Sequence, residues 1–177
     1  MTLTAILAVG HDGSCGLGGD LPWPRLPRDL RRFREATMGR VCIVGRRTYD
    51  TLPALKGRRL TVLTRNPLAT LADFPRADFV ASNTDEARFN AEYRGGPDGY
   101  GEESEVMVIG GAEVYRATWP RIDRILLTVV DGTHPADTYL DPPGVLCEGF
   151  ECLSSQRHDP DADNPLGVVF SEWVRRV

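Results

Sequence analysis

The chain has 177 residues, of which 41% are apolar and 26% charged, and a net charge of −4. That length suits one domain with a full hydrophobic core, and the composition is that of an ordinary globular protein. The acidic balance excludes the basic surplus that nucleic-acid binders carry, and Lys56 stands alone against twenty arginines.

The opening stretch MTLTAILAVG has no basic leader and no long apolar core, so it reads as neither a signal peptide nor a membrane span. Residues 3–9, LTAILAV, are apolar but for Thr4, the pattern of a strand buried on both faces. Five glycines among residues 10–23 follow, the mark of a turn-rich loop able to act as a lid. The loop ends in Leu21-Pro22-Trp23, a rigid apolar anchor.

A helix is expected over 27–37, with Pro27 in its first turn. Leu26, Leu30 and Phe33 form its apolar stripe, while Arg28, Arg31, Arg32, Arg34 and Glu35 lie mostly off it. Asp29 falls on the inward side. Three readings of Asp29 stand side by side: an acid favoured by the helix dipole, a partner for a neighbouring arginine, or a functional carboxylate.

Next come three strand-to-helix turns. The strand 41–44 runs into Gly45 and a helix over 46–52, where Arg46, Arg47 and the Thr48 hydroxyl suit an anion. The strand 60–63 ends in Thr64, Arg65 and Asn66, and a guanidinium there suits a phosphate. After a strand at 78–81, a helix at 84–93 and a glycine-rich acidic loop at 94–105, the strand 106–109 meets Gly110-Gly111 and a helix over 112–118. Adjacent glycines let backbone approach a ligand closely. Each turn also reads as an ordinary connection with solvated charge. Together they suggest a dinucleotide across the carboxyl ends of a sheet.

Strands at 125–130, 150–155 and 168–174 complete the chain, the last two joined by a turn-rich solvated segment at 158–165. Alternating strands and helices imply an α/β fold: one domain over 1–177, with a central eight-stranded, mostly parallel sheet flanked by about four helices. Cys15, Cys42, Cys147 and Cys152 form no C-x-x-C pair, and the three histidines add no zinc spacing. The chain therefore reads as metal-free, reduced and cytoplasmic.

The segments GLGGDLPW, LPRDLRRF, VGRRTYDTL, KGRR, LTRN, VMVIGGAEVY and LTVVDGTHPADTYL, in this order and spacing, resemble the dihydrofolate reductase family over essentially the whole chain. The resemblance implies NADPH as cofactor, dihydrofolate as substrate, antifolate inhibitors as ligands, no nucleic-acid or membrane partner, and a monomer. It implies a catalytic set of Asp29, Trp23 and Thr128, with Asp29 binding N3 and the 2-amino group of the pteridine. Trp23 and Thr128 would hold an ordered water and the carboxylate beside it.

The same resemblance places Ile6, Leu30, Phe33, Leu52, Leu55 and Ile109 around the substrate rings and Arg58 on its α-carboxylate. It gives the cofactor Cys15, Gly16, Leu17, Gly45, Arg46, Arg47, Thr48, Thr64, Arg65, Gly110, Gly111, Ala112, Glu113, Val114 and Tyr115, with residues 10–22 as a mobile loop and a cis peptide between the paired glycines. Three features depart from the family pattern. Cys15 replaces a branched aliphatic residue, the link from Leu52 to Arg58 is short, and the 94–105 loop is long. Two rivals are a reductase of the same fold acting on a riboflavin-pathway pyrimidine, and a non-catalytic folate- or nucleotide-binding subunit. The first lacks the L-P-W…Asp arrangement, and the second would not oxidise NADPH with dihydrofolate.

Overall fold

The computed structural model describes residues 2–93 and 105–176. The expected loop at 94–105 thus lies, up to residue 104, outside the described residues. Eight strands form one sheet: β1 (Thr2–Gly10), β3 (Val41–Gly45), β4 (Arg59–Leu63), β5 (Phe79–Ala81), β6 (Glu105–Val108), β7 (Arg124–Val130), β9 (Phe150–His158) and β10 (Val168–Arg175), in the order β5-β4-β3-β6-β1-β7-β10-β9. All eight correspond to strands expected from the sequence: six apolar runs and the two later segments at 150–155 and 168–174. Two short strands, β2 (Ser14–Gly16) and β8 (Thr138–Tyr139), pair with each other and have no such run to announce them. The helices are α1 (Pro27–Thr37), α2 (Arg46–Thr51), α3 (Thr84–Tyr93), α4 (Ala112–Thr118) and the single turn α5 (Pro143–Leu146), which the four-helix expectation omits.

The chain divides into two compact units, Met1–Thr4 with Thr37–Ile122, and Ala5–Ala36 with Asp123–Val177. In the first unit β3 runs parallel to β4 and β6, and β4 parallel to β5. β3, β4 and β6 are buried over most of their length and α2, α3 and α4 pack on this part of the sheet, as the unbroken runs VCIV and VMV require. Tyr49 of α2 is buried edge-on against Phe74, and the Arg76 guanidinium stacks on its ring.

In the second unit β10 pairs antiparallel with both β7 and β9. β9 is almost wholly exposed beyond Phe150 and carries Ser154, Ser155, Gln156 and Arg157, the polar dress of an edge strand. The core here gathers Trp23, Leu26, Val130 and Val168, with Ala8, Leu166 and Phe170 packed against them.

The segment 158–165, expected to be merely solvated, does structural work at its end. Asn164 is buried and its Oδ1 accepts the backbone N–H of Arg28 at 2.9 Å, satisfying a free donor at the start of α1. Asp161 in turn holds the Asn164 amide at 2.8 Å and pairs with the Arg28 guanidinium. The glycine-rich stretch after β1 is likewise fastened. Leu140 donates to Gly13 O and Asp137 to Gly16 O, each at 2.9 Å, and Gly18 N–H reaches Asp137 Oδ2 at 2.7 Å.

Candidate active site

α1 presents Asp29 to β7. The Thr128 hydroxyl donates to Asp29 Oδ1 at 2.7 Å, and Thr128 itself is buried. Burial raises the Asp29 carboxyl above its ordinary range, and the Thr128 bond and the Arg32 charge partly offset that rise. A cavity of about 280 Å³ opens beside it, lined by Trp23, Leu26, Asp29, Leu30, Leu21 and Asp20 among others. Leu30, placed on an inward stripe by the sequence, is 39% exposed. The helix turns this residue toward the cavity and not into the core. Phe33 is half-buried and Ile6 is buried in β1.

Trp23 is buried, and its indole Nε1 meets no acceptor among the described residues. An N–H so placed suits an acceptor brought by a ligand or solvent. Its ring meets His134 edge-on at 5.4 Å, and His134 Nε2 is bonded to Asp131 O at 3.0 Å.

Sequence reasoning missed two participants. Arg32, read as lying off the stripe, instead sends its guanidinium inward to Thr128 Oγ1 at 3.0 Å. Its position three residues after Asp29 was the available signal, since i and i+3 share a helix face. His134 left no signal at all, because its contact with Trp23 spans 111 positions of sequence.

In the other unit a second cluster forms where β3 and β6 end. Gly45 N–H donates to Gly110 O at 2.7 Å, and Ile109 N–H to Ile43 O at 3.0 Å. The Gly110–Gly111 peptide is cis, as the resemblance implied. Gly110 has φ +106°, and an added Cβ there would lie 3.1 Å from the Tyr115 ring. A Cβ on Gly111 would lie 2.7 Å from Thr48 Oγ1, and one on Gly45 2.8 Å from Val114 Cγ2. Backbone, the Thr48 hydroxyl and the buried Tyr115 ring therefore stand together with no room for further side chains. Ala112 and Val114 are buried in α4, and Glu113 is exposed and paired with Arg116 at 2.5 Å.

Arg46 and Arg47 are exposed at the start of α2, and Arg65 is exposed just beyond β4. Thr64 is buried, and its Oγ1 accepts Asn66 N–H at 3.2 Å. Arg58 donates through Nη1 to Thr37 Oγ1 at 3.3 Å, while its buried Nε meets no acceptor among the described residues. Leu52 and Leu55 are half-buried, Leu52 closing α2 through its N–H on Thr48 O at 3.0 Å. Cys15 is half-buried, with Sγ on Thr138 O at 3.4 Å, next to Gly16 and the exposed Leu17.

Among the described residues no helix is long and apolar enough to cross a membrane, and no group of three or more metal-ligating side chains occurs.

Known proteins resemble this one in both sequence and fold. The family model described as dihydrofolate reductase matches residues 2–175. Dihydrofolate reductase type 8 of Escherichia coli is 39% identical over 160 residues, covering 89% of this chain and 90% of that protein. Dihydrofolate reductase type 3 of Salmonella typhimurium is 32% identical over 177 residues, covering 99% of each. A dihydrofolate reductase of Mycobacterium tuberculosis is 40% identical over 136 residues, covering 74% of this chain and 73% of its own. The solved structure of the Enterococcus faecalis dihydrofolate reductase, complexed with NADP(H) and RAB-propyl, superposes with a TM-score of 0.80 at 26% identity, covering 99% of this chain and 97% of that one. The likeness runs the length of the chain: it belongs to the dihydrofolate reductase family and is an NADPH-dependent oxidoreductase.

Proposed function

We propose that the chain reduces 7,8-dihydrofolate to tetrahydrofolate by hydride transfer to C6 with protonation at N5, supporting one-carbon, thymidylate and purine synthesis. The observation that carries this reading is the Asp29 carboxylate, desolvated beside a cavity whose apolar lining is Leu21, Trp23, Leu26 and Leu30, and fixed on Oδ1 by the Thr128 hydroxyl. A pterin offers N3–H and a 2-amino group as a donor pair, and a carboxylate accepts both in a two-point, charge-assisted fit. Low local polarity strengthens that pairing.

Each residue then has a task. Asp29 orients the pteridine and, by its negative charge, favours arrival of a proton on the ring. Thr128 fixes the carboxylate, and the Trp23 N–H binds the water beside it. Leu30, Phe33 and Ile6 are assigned to the substrate rings, which they would shield from water. The family resemblance assigns Ile109, Leu52 and Leu55 of the other unit to the same rings and Arg58, whose buried Nε is available as a donor, to the substrate's α-carboxylate. His134 does not deliver the proton, because its ring is held on Asp131 O as a support for Trp23; water delivers it.

The glycine cluster fits a dinucleotide, since Gly45, Gly110 and Gly111 present backbone that side chains would block. Thr48, Thr64, Arg46, Arg47 and Arg65 would hold the phosphates and ribose, and Cys15, Gly16, Leu17 and the run Ala112, Glu113, Val114, Tyr115 would border the rest. When bound, NADPH supplies the hydride from its nicotinamide C4. A single catalytic domain acting as a cytoplasmic monomer belongs to the same reading.

The test is NADPH oxidation followed at 340 nm with dihydrofolate, for the parent and for Asp29→Asn. Turnover by the parent and its loss in a folded variant are expected. No NADPH consumption by the parent would overturn the reading.

A further inference from the structure

Arg32 lies one turn beyond Asp29 on α1, and its guanidinium reaches past the helix to the sheet. Nη1 donates to Leu127 O and to Thr128 Oγ1, each at 3.0 Å, and Nη2 donates to Ser171 O at 2.9 Å. Leu127 and Ser171 are register partners on β7 and β10, so one planar fork bridges two paired strands. The same guanidinium stands 4.6 Å over the Phe170 ring. It is thereby fixed from three sides.

Thr128 Oγ1 joins two bonds of opposite sense. It accepts from Arg32 at 3.0 Å and donates to Asp29 Oδ1 at 2.7 Å. A guanidinium has donors only, and a hydroxyl has a single proton. Arg32 takes one of the oxygen's two lone pairs and cannot accept the hydroxyl proton, so its donation polarises the O–H and strengthens the bond that this proton makes to Asp29. Without Arg32 the hydroxyl is free to turn and accept from a protonated carboxyl.

We propose that Arg32 is a positioning residue of the active site: its bond to Thr128 Oγ1 fixes the threonine hydroxyl as a donor and so holds Asp29 as an acceptor for the substrate's paired N–H groups. This rests on the reading of Asp29 as the pterin-binding carboxylate. The two bonds to one oxygen also put the cation within 6 Å of Asp29 Oδ1, close enough to favour the ionised carboxylate. Burial raises the Asp29 carboxyl, while Thr128 and Arg32 act against that rise. The other charged groups nearby are Asp20 and Arg25, which line the same cavity, and the Arg124–Glu172 pair, at 2.8 Å, which neighbours Arg32. His134 packs against the Trp23 ring and His158 against the Phe170 ring.

The experiment is a titration of the Asp29 carboxyl carbon by NMR in the ligand-free protein, with the signal assigned through Asp29→Asn. Arg32→Met is expected to raise the midpoint by about one pH unit, the scale on which an opposite charge acts at this range. Arg32→Lys keeps the charge but loses the fork, and is expected to raise it less. In a Thr128→Val background the effect of Arg32→Met should shrink, because the shared oxygen is gone. The pH at which dihydrofolate turnover changes should move with the NMR midpoint. An unchanged midpoint in whichever Arg32 variant is folded overturns the proposal. If Asp29→Asn keeps parental turnover, the reading of Asp29 falls instead, whatever Arg32 does. If Asp29→Asn loses turnover while the Arg32 variants leave midpoint and pH profile in place, the Arg32 proposal falls alone.

Discussion

Thr48 Oγ1 lies 2.7 Å from the place a Cβ on Gly111 would occupy. The hydroxyl is the end of a side chain that can turn away, so Gly111→Ala is expected to fold and to displace Thr48. In the proposed site that removes a cofactor contact, and a lost hydrogen bond contributes about 0.5–1.5 kcal/mol. Calorimetric titration with NADPH should show weakened binding with little change in melting temperature. In a Thr48→Ala background the same glycine substitution should cost less. Equal NADPH affinity for parent and Gly111→Ala would show that the hydroxyl touches no cofactor.

Gly110 differs from its neighbour in kind. Its φ of +106° is a conformation L side chains rarely adopt, and an added Cβ would press on the Tyr115 ring at 3.1 Å. Gly110→Ala is therefore expected to lower stability itself, by about 1–3 kcal/mol. Denaturant melts of the ligand-free protein check this, and an unchanged midpoint would contradict it.

Arg65 is exposed just past the end of β4. A 2′-phosphate is the one extra anion that separates NADPH from NADH, and a guanidinium fork suits it. Arg65→Gln is expected to raise the NADPH KM much more than the NADH KM, with Arg46→Gln in the same direction. Equal changes for the two cofactors would remove Arg65 from this role.

The strands were legible because their burial is written in composition: VCIV and VMV are apolar at every position, and β3 and β6 are covered on both faces. β2 and β8 were not, since strands of three and two residues carry no period to read. In α1, the inward aspect of Asp29 followed from spacing. The inward course of Arg32 did not, because its long stem crosses to carbonyls on β7 and β10 that the helix pattern cannot show. Leu30 was placed on the correct face, but that face borders a cavity, and an apolar pattern cannot distinguish a core from a ligand slot. Asn164 was hidden for a different reason: a capping residue normally precedes its helix, and this one comes from 136 positions downstream.

Three of the four thiols should separate by environment. Burial pushes the Cys42 thiol up to about 12 and the Cys147 thiol up to about 11, whereas Cys152 is exposed on β9. Because the thiolate is the reacting species, a thiol-specific chromophore at pH 8 should label Cys152 quickly and leave Cys42 and Cys147 unmodified until the chain unfolds. Mass mapping of the labelled peptides checks the order. Rapid native labelling of Cys42 would contradict its burial in β3.

Asp29→Asn separates the functional reading of this residue from the two others. The variant keeps the size and one acceptor oxygen, so the Thr128 hydroxyl retains a partner. What it removes is the charge. In the proposed mechanism the loss falls mainly on turnover at neutral pH, and weaker substrate binding follows, on the order of 1.5–3 kcal/mol for a charge-assisted bond. Stability should move the other way. The folded-state pKa of Asp29 is raised by burial, so its contribution is most favourable below the unfolded value, near about 3.9, and declines as pH rises through the folded value. At neutral pH the ligand-free protein therefore holds a desolvated carboxylate at a cost. Asp29→Asn is expected to match or exceed the parent in melting temperature at pH 7, with the advantage shrinking as pH falls toward 4. A helix-dipole or surface-pair role requires the reverse: activity kept and stability slightly lowered. Melts across this pH range, run beside dihydrofolate assays on the same preparations, decide between them.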